Sequence, residues 1–365
     1  MKKLGLAVAG TLLSLSAFAD DHEGVMVGGY VDAGYQAQSV DKVAGATVLD
    51  TNGFLVREGA IYLGKKWGSE WEVFGDFSFT GNTQSAITGV GVAQAFIAQN
   101  MENGFSWKLG KMDGIFGYYA GRVDSHAHRL TDVGYIQEAY LPAYHLGWMG
   151  SYSFSDMLKV SILVANENEE FGTTGTAGAT GTAANRGTRS PDAGILVGAD
   201  FDAFSADLGV YVMTGETGTK TTTGYVVSGV VEGNFEPLNV GVYGVYFKND
   251  ADATAPAKDE ADFGIGANVG YDVNDQFGAN LRVEYVGMND KDSFYNTVTN
   301  TWTSIGAVPT QEVESMLGAT IGGNYKFNDS VTAKVDYTYT KFQTKGTGAD
   351  IDPIHTVNAG VVASF

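Results

Sequence analysis

The chain contains no cysteine, which removes both a disulfide framework and a thiolate metal site from consideration. Proline is scarce, with 6 residues against 50 glycines. Those glycines follow no three-residue repeat, so a collagen-like chain is excluded. Past the N-terminus no run approaches the roughly eighteen consecutive apolar residues of a spanning helix. No stretch sustains a helical period either. Positive charge is also short, with 22 Lys and Arg against 42 Asp and Glu and a net charge of -20. Nucleic acid is excluded as a partner, because its phosphates require basic surface.

What is present begins with MKKLGLAVAGTLLSLSAFA: two lysines, an apolar run, and small residues at Ala17 and Ala19. This is the pattern of a cleaved secretory signal peptide over residues 1-19, leaving a single domain over 20-365. An exported chain without a spanning helix is either soluble or crosses a membrane by strands.

From Asp20 onward, segments of about ten residues alternate apolar with small or polar side chains, the signature of a transmembrane barrel strand. About sixteen can be placed, from Val25–Gln36 to His355–Phe365. The connections alternate in length. Gly68-Ser69, Ser155-Asp156, Asp202-Ala203, Glu236-Pro237 and Asn274-Asp275 are tiny, while 41-52, 167-191, 249-260 and 288-311 are long and polar. Short turns at one membrane face and long loops at the other sort connections in this way. Side-chain parity agrees: Phe277, Ala279, Leu281, Val283 and Tyr285 form an apolar face, with Asn280, Arg282 and Glu284 on the other. A barrel of about sixteen strands encloses water, so the apolar face is the outer one. Aromatics gather beside the short turns (Trp67, Trp71, Phe154, Phe201, Phe235, Phe277, Phe327) as an interfacial girdle would require.

The signal peptide, the strand count, the long connection after the fifth strand and the terminal HTVNAGVVASF ending on Phe365 together resemble bacterial outer-membrane porins. More locally, the chain is similar to the β-barrel porin type 2, OmpL-like group. That likeness rests on Gly110-Lys111, Phe116-Gly117-Tyr118, Asp124-Ser125, Pro142 and His145-Leu146-Gly147. Ile115 and Tyr119 depart from the group's usual proline and glutamate. The resemblance implies an all-β, antiparallel up-and-down transmembrane barrel with a loop folding inward after strand 5, assembled through Phe365 by the barrel-assembly machinery. It also implies a homotrimer set among outer-membrane lipid and lipopolysaccharide in a Gram-negative cell.

On this reading the connection 113-143 forms the constriction, with Lys111, Asp113, Tyr118, Arg122, Asp124, His126, His128, Arg129, Asp132 and Glu138 as its candidate residues. Pore-lining candidates by parity are Asp32, Glu72, Asp76, Lys108, Lys159, Asp207, Arg282, Glu284, Lys334 and Asp336. The second strand resists assignment, since Arg57, Glu58, Lys65 and Lys66 fit neither parity. The excess of inward carboxylates implies a mild cation preference. No catalytic residue is expected: Asp124, Ser125, His126 and His128 are adjacent in sequence but lack the hydrogen-bond chain of a hydrolase or a third metal ligand. No cofactor is expected either, beyond calcium or magnesium at external-loop carboxylates such as Asp250, Asp252, Asp259, Glu260, Asp290, Asp292, Asp350 and Asp352. The expected function is passive diffusion of ions and small hydrophilic solutes. The alternatives are a channel selective for sugar or peptide, suggested by the loop tyrosines, and an adhesive surface barrel with a blocked lumen.

Overall fold

The computed structural model describes residues 25-40, 51-82, 85-120, 129-166, 191-217, 220-249, 260-288, 313-344 and 352-365. The first eight strands are β1 (Val25–Val40), β2 (Thr51–Trp67), β3 (Trp71–Asn82), β4 (Ser85–Asn100), β5 (Phe105–Asp113), β6 (Tyr144–Ser153), β7 (Leu158–Ala165) and β8 (Asp192–Phe201). The second eight are β9 (Phe204–Thr217), β10 (Lys220–Phe235), β11 (Leu238–Asn249), β12 (Glu260–Asp272), β13 (Phe277–Gly287), β14 (Val313–Asn328), β15 (Val331–Thr344) and β16 (Ile354–Ser364). Each pairs antiparallel with its sequence neighbours, and β1 pairs with β16 to close the barrel. Closure satisfies the backbone groups that an open edge would leave bare in lipid.

The parity read from sequence holds around the wall. Leu208, Val231, Val242, Ile265, Leu281, Ile321 and Val335 are exposed on the outer face, where lipid would meet them. Trp67, Phe154, Phe235, Tyr271 and Phe327 are also exposed, beside the short turns. On the inner face lie Asp32, Asp76, Asn268, Arg282, Glu284, Asp336 and Asn358, all buried. A barrel core is thus polar where a soluble core would be apolar.

The irregular parity of β2 has a local cause. Asp32 pairs with Glu58 and Ala33 with Val56, so Arg57 is an extra residue in a β-bulge. The bulge lets Glu58 and Arg57 both address the lumen side, where Arg57 Nε donates to Asp32 Oδ2 at 3.2 Å. Beyond it the alternation resumes, with Lys66 opposite Glu72 and Lys65 above the Trp67 ring at 5.4 Å. At the seam, Gly29 and Phe365 exchange backbone hydrogen bonds of 3.1 and 3.0 Å.

Candidate pore constriction

The long connection leaves β5 at a closed neck, where Gly114 N–H donates to the Ala143 carbonyl at 2.6 Å. Its second half carries a short helix, α1 (Tyr135–Tyr140). Gly134 precedes it at φ 85, a conformation open to glycine, and any Cβ there would stand 2.7 Å from a Glu284 carboxylate oxygen. Glu284, projecting inward from β13, accepts the N–H groups of Tyr135 at 2.9 Å and Ile136 at 3.3 Å. A carboxylate on the wall therefore caps a helix in the loop.

Other wall side chains hold the same stretch. Arg282 Nη1 donates to the Asp132 carbonyl at 2.9 Å, and Nη2 pairs with the Asp132 carboxylate. Asp336 Oδ2 accepts the Thr131 N–H at 2.8 Å, and Lys334 Nζ donates to the Leu130 carbonyl at 3.4 Å. Arg129 binds Asp272 at 2.7 Å. Asn268 donates to the Tyr118 hydroxyl at 2.8 Å, and the Tyr140 hydroxyl donates to Asp262 at 3.2 Å. Every one of these wall partners is on the inner parity of β12, β13 or β15. The described part of the loop consequently lies against the inner wall.

Packing follows the same logic. Loop side chains sit on inward glycines: Phe116 over Gly194 and Gly209, Tyr118 over Gly241, Ile136 over Gly264, Tyr135 over Gly318 and Leu130 over Gly322. A Cβ at Gly318 would meet the Tyr135 ring at 2.7 Å, and one at Gly264 would meet Ile136 at 2.9 Å. Glycine on β8, β9, β11, β12 and β14 gives the loop room to approach the backbone. The glycines create the space and the aromatics fill it.

Beside the loop lies a cavity of about 320 Å³. Asp132, Gly134, Tyr135 and Glu138 border it from the loop, and Gln36, Arg57, Thr338, Thr356 and Asn358 from β1, β2, β15 and β16. Of its charged groups, Arg57 is already engaged by Asp32, and the loop cation Arg129 is drawn away to Asp272. Asp132 is likewise paired with Arg282, and Glu138 is the remaining carboxylate at the edge of the cavity. Glu138 borders the cavity, and desolvation there pushes its carboxyl up to about 8, with Asp132 and Glu284 adding to the rise and Arg282 opposing it. Burial likewise raises the Tyr119 hydroxyl to about 12.

Of the expected constriction residues, Asp132 and Glu138 border the cavity, whereas Arg129 and Tyr118 bind the wall and Asp113 stands at the loop root beside Gln94. Arg122, Asp124, His126 and His128 lie outside the described residues. Lys111, at the end of β5, shares the parity of Leu109 and donates to the Val92 carbonyl at 2.8 Å. All ten pore-lining candidates have inner parity, but they divide in role. Glu72, Lys108, Lys159 and Asp207 retain open surface, Asp32 holds Arg57, Asp76 is sealed, and Arg282, Glu284, Lys334 and Asp336 anchor the loop. Most of the external-loop carboxylates lie outside the described residues, as does the side chain of Glu260.

Residue-by-residue reading missed Arg57 and the glycine seats. Their signals were present as the parity break in β2 and as inward glycines on strands facing an aromatic loop. Together, a closed sixteen-strand barrel with an apolar exterior, a polar interior and an inward loop narrowing the bore define an outer-membrane porin. A family model described as beta-barrel porin-2, OmpL-like, matches residues 24–363, and the chain belongs to that family. No curated protein matches the chain in sequence. The anion-selective porin from Comamonas acidovorans superposes with a TM-score of 0.63 at 13% identity, over 93% of this chain and 99% of that one. The outer membrane channel DcaP of Acinetobacter baumannii gives 0.63 at 14%, over 93% and 97%. Pseudomonas putida OprB gives 0.62 at 12%, over 98% and 97%. At these identities the likeness is one of fold. The family and barrel assign the chain to the bacterial outer membrane.

Proposed function

We propose that the chain is a non-enzymatic channel for passive diffusion of ions and small hydrophilic solutes, with a mild preference for cations set at the constriction. The observation that carries this reading is the polar inner wall of a closed sixteen-strand barrel, with the carboxylates of Asp132 and Glu138 bordering a cavity of about 320 Å³. Carboxylates at a constriction attract cations and lower their entry barrier.

Selection of sugars through stacking on the loop tyrosines is less well supported. Tyr118, Tyr119, Tyr135 and Tyr140 are all buried, and of the four Tyr135 alone borders the 320 Å³ cavity. A homotrimer is part of the proposal, supported by a trimer form of Vibrio cholerae OmpT among the similar folds.

Reversal potentials of the purified protein in a KCl gradient across a planar bilayer test the reading. Potassium should permeate better than chloride, and Asp132→Asn with Glu138→Gln should bring the two close to parity. Clear chloride preference in the unaltered protein would sink the proposal. Liposome swelling by small uncharged sugars separates an open channel from a blocked barrel.

A further inference from the structure

The wall of β2 to β5 carries a polar cluster that the constriction does not use. Asp76 is wholly buried, at 0% exposure, and neither carboxylate oxygen has a hydrogen-bond partner. Across the ladder it faces Gln94, whose side chain bonds Asp113. Asp113 Oδ1 also lacks a partner. Two carboxylates therefore flank one amide at the root of the loop.

Two lysines lie near, Lys111 acting on Asp76 and Lys108 on Asp113, but each places its ammonium against another group. Lys108 Nζ lies over the Phe96 ring at 4.6 Å, and Lys111 Nζ donates to the Val92 carbonyl at 2.8 Å. Glu58 adds a further negative field at Asp76. A buried carboxylate without a donor is costly, and native proteins meet that cost with a bound cation or a proton.

We propose that Asp76, Gln94 and Asp113 bind a divalent cation, calcium or magnesium, which ties the root of the constriction loop to β3. The donors are hard oxygens, the class both ions require. Among the described residues no three carboxylate or imidazole side chains converge into a metal shell, so the ion keeps part of its water. The site differs from the external-loop carboxylates and lies where β3 and β4 meet the end of β5. Because Asp113 ends β5 directly before the Gly114–Ala143 neck, the ion restrains the loop where it leaves the barrel.

Calorimetric titration of EDTA-treated, folded protein in detergent with calcium chloride or magnesium chloride tests this. One saturable site per chain is expected. Asp76→Asn and Asp113→Asn should each weaken it at least tenfold, while Asp275→Asn, in a short exposed turn, should leave it unchanged. Heat-modifiable mobility on gels identifies variants that fold. Should either variant fail to fold, saturable binding by the unaltered protein, together with an EDTA-induced rise in open-channel noise, still decides the question. The proposal is overturned if no saturable binding is found, or if folded Asp76→Asn and Asp113→Asn bind as tightly as the parent. A conductance that titrates with pH but ignores divalent ions would also overturn it, assigning the carboxylates a shared proton. None of these outcomes depends on ion selectivity, so the channel reading stands or falls separately.

Discussion

Arg282 is the side chain on which the loop's polar contacts converge. It is buried, and it meets the carbonyl and carboxylate of Asp132 from one end and Glu284 at 3.6 Å from the other. Removing one partner of a buried ionic group leaves the rest uncompensated, typically at about 3–5 kcal/mol. We predict that Arg282→Met releases residues 129-140 from the wall while the barrel still closes. Single-channel recordings should then show larger and noisier openings, whereas quiet, unaltered currents would mean that the other anchors suffice. Glu138 supports a second prediction, for pH. Its carboxyl is raised to about 8, so it is neutral below that pH and negative above it. Cation preference should therefore grow as pH rises from about 6 to 9, and Glu138→Gln should flatten that dependence. Equal slopes in the two proteins would remove Glu138 from the selectivity mechanism.

At the scale of elements, the loop and the wall are built for each other. Gly318 on β14 supports the Tyr135 ring, and a Cβ there would come within 2.7 Å of it. Gly229 on β10 faces outward with nothing within 4 Å. Gly318→Val should thus lift α1 and change conductance, while Gly229→Val, which makes the same change in chain entropy on an outward site, should not. Identical currents from the two would show that the seat is dispensable. This complementarity also explains what the sequence could and could not disclose. Strands were legible because alternation with period two is local, and inner parity was correct for all ten pore-lining candidates. Lys111 adjoins the loop in sequence, while its strand register gives it the parity of Leu109. The anchoring role of Glu284 and Asp336 was invisible because their partners lie 149 and 205 residues away. No local pattern encodes contacts across that distance.

Over the whole molecule, the net charge of -20 says little about selectivity, because most inward carboxylates of the loop-bearing wall are spent on holding the loop. What the whole barrel does require is closure at the β1–β16 seam. There Phe365 contributes in two separable ways. Its backbone exchanges two hydrogen bonds with Gly29, and these survive any side-chain replacement. Its ring, by contrast, sits against Gly29, where an added Cβ would be 2.7 Å away. If the ring serves mainly as the assembly signal, Phe365→Ala should refold in detergent to a heat-modifiable barrel with nearly parental urea resistance. In cells the same variant should deliver several-fold less folded protein to the outer membrane. Equal amounts in cells would deny the ring an assembly role. A large loss of urea resistance in the refolded variant would instead assign the ring to seam packing, since the seam's backbone bonds are the same in both proteins.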